Sequence, residues 1–565
     1  MIRAWWDRGL VAVVSLLGLF PFARGLSEGE IPGQENVPLD GAHTIFVYEY
    51  VRQALLGHVS LLHADAMWYP LGRPFLLGIQ NVVDAFLAAP FLGALGVQHG
   101  MAAFVALVLV SNGLAAGWMG ERIGGRGLAG PLAACVVAFA PYAWCETQMG
   151  RPTQAMLSPM CLALGHAWTA ADDAESRLRP ALWSGCWLVV AALEYWFYGF
   201  FGCILVGGVY LGALLGRGRR HTLRALAITA LLPALCAAPF ALYVASTWTE
   251  MPGASMSSPV PNSTRLWAGL PGRNSLRTAM YVPQLLYAVA LLPLFTRQRW
   301  RAGGLALAML FLVGVAVGER VDIGPFEGVR TPLALLRELP GFHRFWWPHR
   351  ALGAVVVGAA AAAAACVAAG GLPRLLATLG IALSAGQALQ TPGELTSWKA
   401  PRRPLWDEAL PPGAVLLLPM LDPDAGKHFL AQWAVHHRPM VNGMSMWDDF
   451  LWPQDFEQWV TEQPLLDALL AIERSRPYGR RAAEPNVLAS PNGGARAPAV
   501  KREVAIRRAE QLDADDLQAF ADLGVVGIVA HLARTPPEAV ATITRLAGDP
   551  SNKGDFAWWP LPAPR

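Results

Sequence analysis

The side chains in the first 390 residues that could do acid–base or anion chemistry stand in short segments between long apolar runs. Asp40 lies two residues after Pro38, precedes Gly41, and comes just before a helical stretch at 44–56. A carboxylate there would sit near the positive end of a helix, where it can cap the backbone or act as a base. Glu49 follows nine residues later, in the middle of the same stretch. Further on, Glu146-Thr147-Gln148-Met149-Gly150-Arg151 offers one acid, one amide and one guanidinium, and Glu194 heads the aromatic run Tyr195-Trp196-Phe197-Tyr198. Charged groups at the edge of such apolar runs are costly, so they are either paired or functional. A last segment, 340–350, interleaves His343, Arg344, His349 and Arg350 with Trp346 and Trp347. Arginine forks match phosphate oxygens and stack on aromatic rings, so this segment suits a phosphate clamp or an interfacial anchor.

What positions these groups follows from composition. Hydrophobic residues make up 54% of the 565 and charged residues 15%, with a mean hydropathy of +0.35. Soluble domains carry about 25% charged residues, so an ordinary soluble enzyme, a coiled coil and a disordered chain are excluded. A net charge of +3 gives no footing for a nucleic-acid partner. The four lysines, Lys399, Lys427, Lys501 and Lys553, all follow residue 390, so the two parts of the chain are different materials. Seven cysteines lie in or beside apolar runs without C-x-x-C spacing and read as small buried hydrophobes. No P-loop, nucleophile elbow, H-E-x-x-H or kinase set is present, and Gly124-Gly125-Arg126-Gly127 reads as a tight turn.

A spanning helix takes about 20 apolar residues. Eleven runs read as spans: 9–24, 100–120, 128–145, 154–170, 181–193, 197–216, 222–244, 279–295, 303–317, 351–370 and 375–390. A twelfth, 81–96, is short, begins polar, and holds Asp84 and Pro90. If it does not span, the short loops bearing Arg122, Arg177, Arg217, Arg297 and Arg374 share one side with Arg3 and Arg8. If it spans, they face the opposite side. The positive-inside bias favours the first arrangement. The N-terminus is then cytoplasmic, 81–96 is a re-entrant or interfacial helix, and the loops beginning near Gly25, Glu146, Glu194, Ser246 and Gly318 are extracytoplasmic. No A-x-A site follows 9–24, so this run is expected to remain as an anchor.

The expected fold class is therefore an α-helical polytopic membrane protein of about 11 spans with an extracytoplasmic α/β domain. The membrane domain is 1–390, with a long first outer loop at 25–98, and the soluble domain is 391–565. Within the latter, 413–421, 525–531 and 556–561 read as strands, and 456–473, 513–523 and 537–547 as helices. The alternation predicts an α/β unit, with 480–500 as a loop.

Several motifs resemble the GT-C glycosyltransferase superfamily, polytopic enzymes that use polyprenyl-phosphate sugar donors, and within it a poorly characterised bacterial branch. They are Asp40 with the downstream Tyr69-Pro70-Leu71-Gly72, the 339–350 segment, and His437-Arg438-Pro439-Met440-Val441-Asn442-Gly443. The resemblance implies a multi-pass protein of a bacterial inner membrane that transfers sugar to an extracytoplasmic glycan, lipid or protein. It implies Asp40 as the catalytic base, with Glu49, Glu146, Arg151, His343, Arg344 and Arg350 binding substrate. Arg344 and Arg350 would clamp the donor phosphate beside Asp40. A divalent cation, magnesium or manganese, would find its ligands among Asp40, Glu49 and Glu146. The paired acids of many relatives are absent, since Gly41 follows Asp40. The rival readings are a non-catalytic scaffold of envelope-glycan machinery and a lipid or glycan transporter.

Overall fold

The computed structural model describes residues 2–32, 39–74, 82–125, 127–171, 178–216, 219–247, 283–296, 298–323, 326–339, 348–389, 397–442, 454–475 and 502–565. It divides into two compact units. The first joins Met1–Pro38, Gln80–Leu242 and Ser258–Trp398; the second joins Leu39–Ile79, Tyr243–Ser257 and Lys399–Arg565. The last stretch of the second unit begins at Lys399, and the unit also takes in Leu39–Ile79, which the sequence places with the membrane helices.

Among the described residues of the first unit, seven helices are long and apolar enough to cross a membrane: Trp6–Ser27, Val83–Gly124, Trp196–Gly216, His221–Pro239, Arg299–Ala316, Pro348–Ala369 and Gly371–Leu389. The unit is that of a multi-pass membrane protein. The other four expected spans fall on shorter or broken helices. The 128–145 run divides into Ala129–Ala138 and Pro141–Gln148. Pro141 forces Ala140 into extended backbone, and a proline restarts rather than continues a helix. The others are covered by Ser158–Ala170, Leu178–Glu194 and Gln284–Leu291. The doubtful run 81–96 opens a helix, Val82–Gly124, that breaks at Gly96, where φ 74° and ψ 170° suit glycine alone.

At the centre lies the alanine-rich helix Ala351–Ala369, buried from Ala351 through Cys366. Small side chains let neighbouring backbones approach where no solvent-driven force holds helices together. The same device joins Trp196–Gly216 to Arg299–Ala316, where a Cβ on Gly304 would stand 1.9 Å from the Gly208 carbonyl.

The second unit holds a four-stranded sheet. Ala414–Leu418 runs parallel to Val525–His531, which pairs antiparallel with Phe556–Pro560, and that with Ser551–Lys553. Ala514–Asp522 packs on Val525–His531 and Pro537–Ala547 on Phe556–Pro560, and Pro464–Arg474 packs on those two helices. Leu39–Leu55, hereafter the loop helix, packs on Pro423–His436.

Candidate active site

Within the first unit the sequence folds three of the expected residues together. Glu146 sits in the last turn of Pro141–Gln148. The chain then turns at Gly150 (φ 73°), and the Arg151 N–H bonds back to the Glu146 carbonyl at 2.9 Å. This fold-back sets Arg151 Nη1 3.4 Å from Glu146 Oε2. Arg350 ends the short turn Pro348–Arg350 and brings its Nε to 3.7 Å from the other Glu146 oxygen. Its Nη1 donates to the Tyr195 hydroxyl at 2.8 Å, and its guanidinium lies 5.2 Å from the Tyr195 ring centre. Tyr195 meets Tyr198 edge-on at 5.1 Å, and the Tyr198 and Tyr142 hydroxyls are 2.7 Å apart. Glu146 is wholly buried, and Arg151 and Arg350 are 8% and 7% exposed. Two guanidinium groups thus face one carboxylate inside an apolar bundle.

A second polar group in the same unit was not singled out in the sequence as a site. Asp84 and Glu194 are both fully buried, and Asp84 is the charged neighbour of Glu194. Asp84 accepts from the Thr153 hydroxyl and, at 2.9 Å, from the Ala85 N–H. The Glu194 carboxylate faces the backbone of Asp84. The signal available was an acid bordering an apolar run. In the sequence Asp84 argues against a span, and Glu194 heads an aromatic run.

Asp40 and Glu49 belong to the second unit. Asp40 lies in the first turn of the loop helix rather than ahead of it as an N-cap, and its carbonyl accepts from the Thr44 hydroxyl at 2.9 Å. Glu49 is 1% exposed and committed elsewhere. It accepts from Arg52 Nε and Nη2 at 2.7 and 2.6 Å, Gln53 Nε2 at 2.7 Å and His437 Nε2 at 2.9 Å. Burial alone would raise its pKa, but the bonds from His437, Arg52 and Gln53 outweigh it and hold the carboxyl below its ordinary value. Nine residues of helix separate the two acids by about 13 Å, so Asp40 and Glu49 cannot share one ion. Glu146, between two guanidinium groups, is equally unsuited to a cation. Among the described residues, no three His, Cys, Asp or Glu side chains stand together as around a metal ion. His343 and Arg344 lie outside the described residues.

Fold and site together define a multi-pass membrane protein with a buried arginine–carboxylate cluster and a second unit built on a four-stranded sheet. No family model matches the chain, and no curated protein matches it. Solved structures do. An archaeal oligosaccharyltransferase AglB from Archaeoglobus fulgidus, in complex with an inhibitory peptide and a dolichol-phosphate, is 12% identical. It covers 96% of this chain and 71% of its own, with a TM-score of 0.44. An arabinofuranosyltransferase AftD from Mycobacteria is 16% identical, covering 99% of this chain and 42% of its own, with a TM-score of 0.49. Both names are those of glycosyltransferases, the class that the sequence resembles. At this level the likeness does not assign an activity.

Proposed function

We propose that the protein is an integral-membrane glycosyltransferase that moves a sugar from a polyprenyl-phosphate donor to an extracytoplasmic acceptor. The observation that carries this reading is the buried cluster of Glu146, Arg151, Arg350 and Tyr195. A bundle selected only for stability does as well with apolar packing there, because burying an ion pair returns little net energy. Guanidinium groups are also the side chains whose planar forks match phosphate oxygens. In transfer, the bond from the sugar to the phosphate oxygen breaks and its electron pair stays on the lipid phosphate, where the guanidinium groups stabilise it. The acceptor oxygen bonds to the sugar carbon as its proton passes to a carboxylate base, the role that the sequence resemblance gives to Asp40.

A divalent cation, magnesium or manganese, would supply positive charge toward the leaving phosphate. Asp84 and Glu194 offer hard carboxylate oxygens for it, with Asp84 already accepting from Thr153 and the Ala85 N–H.

Reconstitution in liposomes with a polyprenyl-phosphate sugar tests the reading. Arg350→Lys keeps the charge but loses the planar fork. It is expected to lower transfer by about 10²-fold, with thermal stability near wild type. Full transfer by Arg350→Lys would remove the clamp. A wild-type protein that transfers nothing from any such donor would favour the scaffold.

A further inference from the structure

We infer that Glu49 and His437 are positioning residues that set where Asp40 stands, and that the His437–Asn442 segment is the joint that carries them. This rests on the base role proposed for Asp40. All the groups involved lie in the second unit.

The loop helix rests on Pro423–His436 through rings. Phe46 meets Trp433 edge-on at 5.0 Å, and Tyr50 lies 5.5 Å from the same indole. Ring packing sets the two helices side by side, and a directional bond adds a fixed register to it. One such bond is at Glu49. Its carboxylate takes four bonds, three from its own helix and one from His437 beyond the end of the other. Gln53, one of the donors, is held in turn by His58 at 2.7 Å.

His437 reaches Glu49 because its backbone is left-handed (φ 56°), which is uncommon for a residue with a Cβ. The rest of the segment braces that turn. Arg438 pairs with the Asp407 carboxylate and donates to the carbonyls of Asp407 and Leu410 at 2.6 and 2.9 Å. The Met440 N–H donates to the Ala66 carbonyl at 3.1 Å, and its own carbonyl accepts from the Tyr69 N–H at 3.0 Å. Asn442 Oδ1 accepts from the Leu417 N–H at 3.0 Å. The Tyr69 hydroxyl donates to the Leu523 carbonyl at 3.0 Å. Two motifs singled out in the sequence are thus the two halves of one joint between the first outer loop and the soluble fold.

The joint matters to Asp40 through leverage. Helix Cα atoms lie about 2.3 Å from the axis, and a carboxylate reaches roughly 6 Å. A roll of about 10° therefore moves the Asp40 oxygens by about 1 Å, and a misplacement of that size costs about 10²-fold in rate.

Full-length Glu49→Ala, Glu49→Gln and His437→Ala test this with two readouts. The first is amide hydrogen exchange over residues 40–55. Both alanine variants should exchange at least about 10-fold faster, and Glu49→Gln, which keeps an acceptor, less so. The second is transfer kinetics. The alanine variants should lose about 10- to 100-fold in kcat, with KM for donor and acceptor unchanged and the same magnesium or manganese concentration for half-activation. A shifted half-activating concentration would make Glu49 a metal ligand and overturn the inference. Unchanged exchange in both alanine variants would overturn the joint whatever the activity. If wild-type protein transfers no sugar, the base role falls, and the exchange measurement still decides the joint.

Discussion

Asp40 is half-buried in a first helical turn, where the helix dipole favours a carboxylate. Asparagine is nearly isosteric and suits a helix start as well, so Asp40→Asn separates charge from local structure. Transfer should fall about 10²-fold or more, while expression and thermal unfolding stay close to wild type. Complementation or a glycan profile reads the first, and a melt in detergent the second. Full activity would leave Asp40 a purely structural role. Glu146, Arg151 and Arg350 were legible because charged residues bordering apolar runs are few. Their mutual contact was not, since nothing local to residue 146 points to residue 350.

Single elements followed local chemistry closely where that chemistry was strong. Asp513 and Asp516 form the reciprocal capping box that starts Ala514–Asp522, and Val525–His531 is the expected strand. The expected helix 456–473 is instead two, Gln454–Glu462 and Pro464–Arg474, because Pro464 opens a new first turn. That second helix carries a group with no sequence signature. Glu473 is fully buried, and its two oxygens accept the Met420 and Leu421 N–H groups at 2.8 Å each, closing the end of the Ala414–Leu418 strand. Burial outweighs those two bonds and pushes its carboxyl up to about 7, from the ordinary 4.5. Between these values the folded protein holds a proton that the unfolded chain has released. The soluble unit should therefore lose stability as pH rises from about 4.5 to 7, by about 3 kcal/mol from this group, and change little beyond. Glu473→Gln cannot ionise and should flatten that slope. Unfolding of the full-length protein at pH 5, 6, 7 and 8 measures it. An unchanged slope in the variant would assign the pH dependence to other groups.

At the scale of the whole molecule, the sequence revealed two materials but not how the chain distributes them. The loop helix looked like part of the membrane half because it lies between apolar runs. Its partner His437 stands 388 positions away, beyond any periodic signal. Orientation is the opposite case, because it rests on a global count. The Arg-rich short loops fall on one side only if 82–95 does not cross. The helix geometry supplies an independent argument. The Val82–Gly124 helix breaks at Gly96. The part before the break is 14 residues, about 21 Å at 1.5 Å per residue, and the part after it is about 42 Å. A hydrocarbon core is about 30 Å thick, so the second part can span and the first falls short. With the N-terminus cytoplasmic, Gly125 and the 216–221 turn should therefore be cytoplasmic, and Gly29 and Pro564 extracytoplasmic. Single cysteines at these positions, in a background with the seven native ones replaced, can be probed with a membrane-impermeant maleimide. Labelling of Gly29→Cys and Pro564→Cys, but not Gly125→Cys, in intact cells is the expected result. If Gly29→Cys and Gly125→Cys label from the same side, the segment before Gly96 crosses the membrane after all. Every loop beyond it, with Glu146 and Arg350, then moves to the opposite face.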